Sequence, residues 1–364
     1  MKNALTYIGF ILTIFSFLPL IRTPLWWIRI FDFPRAHIAL LLSATLFAYV
    51  FRYGVETTGD IIMLVIWAVA IVNEVRYIYS FTPLAKEEAL LTERKQLVNS
   101  LNLMIANVRM TNKKYQKFLD LVLKVDPDML VINEPNEAWH QYLRKELDVR
   151  YPYAIKKPLE NTYGMILYSK YKLLDSKINF LVEDEIPSFH TIVEMPSGAK
   201  FELFTVHPQP PRLMRNTETR EAELLLVAKL SKKKHYPTIV AGDLNDVAWS
   251  STTKLFKNIS GLLDPRVGRG FYNTYNANIP LFRYPLDHVF YDPSFRLVRI
   301  HRLNKFGSDH FPILISLSYE PLEQEEQEQP VATHEDHKEA NELIQEGLEK
   351  GAELNEEKNQ NGAA

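Results

Sequence analysis

Apolar positions are continuous at the start of the chain and become periodic only later. Asn3 to Ile21 carries no charged side chain, and Arg22 closes the run. Crossing a hydrocarbon core takes ~20 such residues. A second run spans Ala36 to about Tyr53, and a third spans Ile61 to about Phe81, with Glu74 and Arg76 near its end. The pattern predicts a membrane domain over 1–81 with three spans. Two spans plus an interfacial helix, or a cleaved leader, are the alternatives. No small-x-small cleavage site follows the first run, which argues against the leader. Glu74 and Arg76 are expected to pair weakly or to snorkel to the interface. Trp26, Trp27, Tyr77 and Tyr79 fall where an aromatic belt would lie.

A polar linker over 82–100 leads to shorter alternating segments. Residues 101–108 (LNLMIANV), MLVINE ending in Glu134, 164–169 (GMILYS), 238–243 (TIVAGD), 286–292 (LDHVFYD), 296–301 (RLVRIH) and 312–318 (PILISLS) read as strands. FHTIVEM and KFELFTVH flank Pro196-Ser197-Gly198 as a hairpin. Helical spacing covers 111–125, capped by Thr111 or Asn112, and 217–230. Partial alternation with hairpins predicts an α/β sandwich with mixed sheets over 101–319. No Walker loop, GxGxxG or internal repeat is present. From Glu320 the chain is expected to be a dispensable acidic tail, helical at about 335–354 and otherwise disordered.

Charge sharpens this division. The net charge of −2 hides 14 acidic residues against 3 lysines from Glu320 onward, so the first 319 residues carry +9. The absence of cysteine removes thiol catalysis, zinc–thiolate sites and disulfides. Arg22, Arg29 and Arg35 in the first loop, and Arg76, Lys86, Arg94 and Lys95 after the third run, face only Lys2 and Arg52 on the other side. Positive-inside counting therefore predicts a multi-pass protein of the cell membrane with its body in the cytoplasm.

Asn107, Glu134, His207, Asp243 with Asn245, Asp287 with His288, and Asp309 with His310 all read as terminating or directly following an apolar run, as expected if strand C-terminal ends converge on one sheet edge. Any one of them reads as a cap or a turn residue. Gathered at one sheet edge, the carboxylates would repel unless a cation or proton offset them. Oxygen ligands without cysteine suit Mg²⁺ or Mn²⁺. Histidines add acid and base near neutral pH. Metal, base and amide donors together suit hydrolysis of a phosphate ester.

The blocks IANV (105–108), INEPNE (132–137), VHPQPP (206–211), AGDLND (241–246), LDHVF (286–290) and GSDHFP (307–312) occur in an order that resembles the endonuclease/exonuclease/phosphatase superfamily. The resemblance covers about residues 100–319, and the preceding spans resemble a bacterial membrane-anchored branch. It implies a four-layer α/β sandwich. It also implies Glu134 as the main metal carboxylate with Asn107 and Asp309 nearby, His310 as base, and Asp287 as its orienting partner. Asp243 would position the nucleophile, Asn245 would donate to phosphoryl oxygens, and His207 would donate to the scissile phosphate or assist the leaving group.

Asn133-Glu134 replaces the usual Gln-Glu, and Pro-Gln-Pro-Pro follows His207. His288 reads as a packing or supporting histidine, and Glu137 as a solvated helix start. His140 and His190 read as ordinary, and His334 and His337 as solvent-exposed. For substrate, membrane anchoring favours a lipid-linked phosphate, a phospholipid or isoprenyl phosphate. The alternative is nucleic acid, held by Arg212, Arg215, Arg220, Arg266, Arg269 and Arg283 with Phe271, Tyr272, Tyr275 and Tyr284.

Overall fold

The computed structural model describes residues 1–93, 99–210, 215–233 and 235–362. It divides into two units: residues 1–86 with 211–217, and residues 87–210 with 218–364.

Three helices of the first unit are long and apolar enough to cross a membrane: Lys2–Leu20, Arg35–Tyr53 and Thr58–Phe81. They contain α1 (Lys2–Phe17), α3 (Arg35–Tyr53) and α4 (Thr58–Ile78). The short α2 (Trp26–Arg29) lies between α1 and α3. Small residues set how closely they approach. A Cβ on Gly9 would lie 2.1 Å from the Trp67 ring, so only glycine admits that indole. Glu74 neither pairs with Arg76 nor snorkels. It is fully buried, with Oε2 3.4 Å from Arg35, which also binds Asp32 at 2.6 Å. Helical geometry explains the difference: positions 74 and 76 face apart, whereas a neighbouring helix can supply the partner. Within this unit the Thr217 N–H donates to the Pro24 carbonyl at 2.9 Å.

In the second unit the central strands are largely buried on both faces. One sheet has the order β10-β11-β1-β2-β4-β3 and the other β5-β6-β7-β8-β9. The first contains β1 (Ser100–Asn107), β2 (Met129–Asn133), β3 (Tyr153–Lys157), β4 (Met165–Ser169), β10 (Phe295–Arg302) and β11 (Ile313–Tyr319). The second contains β5 (Lys172–Asn179), β6 (Ser188–Glu194), β7 (Lys200–Val206), β8 (Thr238–Asp243) and β9 (Asp287–Tyr291). Alternation along β1 shows why the strands read as continuous apolar runs. Leu103 and Ile105 join the inter-sheet core with Leu203, Ile239 and Val289. Met104 and Ala106 face α5 (Tyr115–Val125) and α6 (Glu137–Arg150) through Phe118, Trp139 and Leu143. Phe204, Val240 and Phe290 likewise meet α7 (Glu218–Lys232) and α8 (Ser251–Ser260). The result is the expected helix–sheet–sheet–helix sandwich.

Several boundaries move. Helix α5 starts at Tyr115 because the Asn112 side chain accepts from the Lys114 N–H and holds 112–114 as a turn. Strands β3 and β5 and helix α8 are not legible in the pattern, and of α6 only its start at Glu137 is. Both strands pair at or near a sheet edge and are half-exposed, which breaks their apolar pattern. The linker shortens, since residues 87–92 already pack on the second unit. Leu91 bridges Leu297, and Glu88 accepts from Lys257 and from the Asp264 N–H. Arg94 and Lys95 lie outside the described residues.

The acidic tail is corrected from dispensable to integral. Helix α9 (His334–Gly362) lays Ala340 and Ile344 into the core beside Leu224 and Ala228 of α7. Buried Gln327 donates to the Pro293 and Phe295 carbonyls at 2.6 and 2.9 Å. His334 and His337 are exposed, as anticipated.

Near the contact between α7 and α9 sits a pH-sensitive group. Burial and then Glu183 push Glu223 from 4.5 up to about 8, and Lys358 lies 3.6 Å from Glu183. The folded chain holds a proton that the unfolded chain releases above its lower pKa. Stability from this group is therefore full below about pH 4 and is lost as pH rises through about 8. Glu223→Gln is expected to raise the unfolding temperature at about pH 8 and to change it little at about pH 5. Differential scanning fluorimetry across that range checks the sign, and a pH-independent difference would rule the mechanism out.

Candidate active site

Parallel pairing of β1 with β2 and of β7 with β8 carries four strand C-termini to one end of the sandwich. Antiparallel pairing of β9 and β11 brings their N-terminal ends to the same place. This corrects the strand-end rule: Asp287 opens β9 and Asp309-His310 precedes β11, while Asn107, Glu134, His207 and Asp243 close or follow theirs. Register fixes the convergence, with Asn107 opposite Asn133 and Asp243 opposite Asp287.

Backbone strain aims two of these residues. Glu134 has φ 62° and Asn245 φ 51°, left-handed values costly for side chains other than glycine. Gly242 has φ 150°, and a Cβ there would lie 2.0 Å from the Val206 carbonyl oxygen. The GD pair therefore requires its glycine so that β8 can lie against the end of β7.

Asn107 links the two halves of the site. Its Nδ2 donates to Glu134 Oε1 at 2.8 Å and to Asp243 Oδ2 at 3.0 Å. Its Oδ1 accepts from the Arg109 N–H at 2.8 Å. Glu134 Oε2 accepts from the Met110 N–H at 3.3 Å. Asp309 lies 3.5 Å from Arg109 and is partly open to solvent. Asp243 Oδ1 accepts from the Asn245 N–H at 3.0 Å, and the Asn245 side chain donates to the Pro208 carbonyl at 2.9 Å.

His310 bridges two aspartates. Its Nδ1 is 2.8 Å from Asp287 Oδ2, and its Nε2 is 3.6 Å from Asp243 Oδ2. His207 Nε2 approaches the same Asp243 oxygen at 3.8 Å. Burial lowers the His310 pKa, but Asp243 and Asp287 overcome it and raise the imidazole to about 10. Burial, partly offset by His310, pushes Asp243 up, and burial likewise pushes Glu134 up. Carboxylates held above their usual range at neutral pH mark a place where positive charge is favourable.

All eight predicted site residues come together. Asp243, Asp287 and His310 place ligand atoms within 4.8 Å of one another. Glu134 is joined to this cluster through the Asn107 Nδ2, which bonds both carboxylates, and the charge of Asp309 is felt at Glu134. With carboxylates, an amide and no thiolate, the donor set fits a hard divalent cation.

The supporting residues were largely missed. Ser308 holds the His310 N–H at 3.0 Å while donating to the Asn107 carbonyl at 2.7 Å. Thr274 accepts from the Asp287 N–H at 3.2 Å, and the Tyr275 ring lies tilted 5.0 Å from His310. Arg220 donates to the Asn245 carbonyl at 2.7 Å. Arg266 pairs with Asp264 at 2.7 Å and donates to His288 Nδ1 at 2.7 Å. A guanidinium can only donate, so His288 carries its proton on Nε2, which bonds the Asp246 carbonyl at 2.9 Å. His288 thus supports the AGDLND loop, as anticipated. His190 pairs with Glu202, and Glu137 opens α6. No pattern along the chain marks Arg220 or Arg266 as partners of that loop, since they are distant in sequence.

The proposed basic surface shrinks. Arg220 and Arg266 are buried, Arg269 binds Glu87 at 2.6 Å, Arg215 belongs to the first unit, and Arg212 lies outside the described residues. Phe271 packs edge-on against Trp249.

Fold and site define a class: phosphoester hydrolases built on two packed sheets, with acidic and histidine residues at one end. The sequence model of the Endonuclease/Exonuclease/phosphatase family matches residues 104–310, more than half of the chain, and the chain belongs to that family. Members are metal-dependent hydrolases of phosphoester bonds. Among solved structures, a family protein from Bacteroides thetaiotaomicron is 18% identical with TM-score 0.51, covering 62% of this chain and 99% of its own. D. rerio TDP2 in complex with a single-strand DNA product is 20% identical with TM-score 0.50, covering 60% and 99%. These likenesses concern the fold. Comparison with curated proteins gives no match.

Proposed function

We propose that the chain is a membrane-anchored phosphoesterase whose substrate is a lipid-linked phosphate, a phospholipid or isoprenyl phosphate. The observation that carries this reading is the presence, in one chain, of three candidate spans and a phosphoester-hydrolase fold. Tethering concentrates the enzyme on membrane substrates without further contacts. The loss of Arg220, Arg266 and Arg269 from the surface weakens the nucleic-acid reading, which needs a basic track. Positive-inside counting favours the cytoplasmic face.

Glu134, Asn107 and Asp309 would hold Mg²⁺ or Mn²⁺, which supplies charge stabilisation at a phosphoryl oxygen. His310 takes the proton of the attacking water at Nε2, and Asp287 holds the Nδ1 proton so that this tautomer persists. Offsetting the charge of the neighbouring carboxylates brings the imidazole down into the range where it can accept that proton. Asp243 orients the water, Asn245 donates to phosphoryl oxygens, and His207 donates to the leaving oxygen.

The test is phosphate release by the full chain in detergent, with detergent-solubilised phospholipid, isoprenyl pyrophosphate and plasmid DNA as parallel substrates. Lipid turnover that ends with chelator and returns with Mg²⁺ or Mn²⁺ supports the reading. Cleavage of DNA alone overturns the lipid assignment, and turnover that persists in excess chelator overturns the metal role of Glu134.

A further inference from the structure

The residue after His310 is Phe311, and two guanidinium groups lie against its ring. Arg283 sits 5.0 Å from the ring centroid and Arg302 4.5 Å. Neither has a carboxylate partner among the described residues, and residues 271–286 contain no acidic side chain. Arg302 is anchored at its Nη1 by the Asn273 carbonyl at 2.9 Å. Burial and the neighbouring Arg283 both lower its pKa, as expected for like charges held side by side. Such a pair is eased by an anion, and guanidinium geometry matches phosphate oxygens.

Arg283 closes a narrow loop with an unusual tip. Tyr275 and Tyr284 bridge at its base, Phe282 donates to the Ile279 carbonyl at 3.1 Å, and Asn276 donates to the Phe282 carbonyl at 3.2 Å. The tip presents Ile279, Leu281 and Phe282 at 47%, 68% and 47% exposure. Scattered exposed apolar residues are ordinary, but three on one braced tip beside two cations with no carboxylate partner among the described residues are not. An apolar tip with a basic rim has the composition of a segment that lies in the headgroup layer of an anionic bilayer.

We propose that the 276–283 loop is a membrane-contacting element, seating Ile279, Leu281 and Phe282 among lipid chains while Arg283 and Arg302 bind lipid phosphates. The inference rests on the membrane association in the reading above, not on which phosphate ester is cleaved. It places a lipid contact beside His310, since Tyr275 at the loop base also bridges that residue.

Because the chain has no cysteine, Leu281→Cys gives a single labelling site for an environment-sensitive fluorophore. Ile279→Cys is a second probe, and Val149→Cys, at 85% exposure on the same unit, is the control. The full-length labelled proteins are reconstituted in phosphatidylcholine vesicles with or without phosphatidylglycerol. In anionic vesicles the probes at 281 and 279 are expected to shift to the blue and to be quenched by nitroxide-labelled lipid, while the probe at 149 is not. Adding Arg283→Gln and Arg302→Gln together should weaken lipid contact roughly 25-fold, from about fivefold per arginine at an anionic surface. Probes at 281 and 279 that stay as unquenched as the control overturn the proposal. Quenching abolished by inorganic phosphate would mean a free-anion site, and a blue shift that grows with protein density without lipid quenching would mean contact between copies. Both also overturn it. None of these readouts requires turnover, so failure here leaves the phosphoesterase reading standing, and failure there leaves this one.

Discussion

Replacing His310 by alanine is expected to lower metal-dependent turnover by about 10²–10⁴-fold, the span for losing a positioned acid–base group. The effect should fall on kcat, because the imidazole acts on the attacking water and contributes little to substrate binding. Asp243→Ala should cost a comparable factor. Its carboxylate lies 3.6 Å from His310 and 3.8 Å from His207, and its other oxygen holds the Asn245 N–H. With the Asn107 amide that donates to the same carboxylate, one substitution therefore disturbs four members of the site. Residues that act as a unit are not additive, so the double variant should be little worse than the weaker single one. Steady-state kinetics on a soluble phosphodiester and on a lipid phosphate, with thermal unfolding as a check on folding, measures all three. A His310→Ala enzyme within tenfold of native would remove that residue as the base.

Legibility along the sequence followed the physics of each element. Strands buried on both faces, such as β2 and β8, are unbroken apolar runs ended by polar residues, so both the strand and its functional terminus could be read. Edge strands β3 and β5 alternate weakly because one side meets solvent. That the eight candidate residues meet at one end of the sheets was legible through their motifs. Arg220 and Arg266 were misjudged for a different reason. An arginine in a string gives no sign of whether it faces solvent or the carbonyls of a loop, and here the Asn245 carbonyl and the Asp264 carboxylate decide it. Glu74 repeats the lesson in the first unit, where its partner Arg35 is 39 positions away.

Removing residues 334–364 is expected to destabilise the second unit by about 3–6 kcal/mol, from uncovering Ile344, Ala340 and the α7 side chains beneath them. For a unit of this size that corresponds to a fall in unfolding temperature of roughly 10 °C. The acidic composition of α9 suggested a solvated tail, but its buried stripe is only one side chain wide, and glycine forms part of it. A Cβ on Gly347 would lie 2.3 Å from Ala222 Cβ and 2.4 Å from the Glu218 carbonyl oxygen, and one on Gly351 would lie 2.6 Å from the Val182 carbonyl oxygen. These contacts let the backbone of α9 lie directly on α7 and the segment before β6. Gly347→Leu should therefore reproduce part of the truncation by pushing the helix away, at about 1–3 kcal/mol. Leu348→Ala, on the exposed side, should change stability little. Equal unfolding temperatures for Gly347→Leu and Leu348→Ala would show that α9 does not pack on α7 in solution. A clear separation would make the acidic C-terminal helix a structural part of the hydrolase unit.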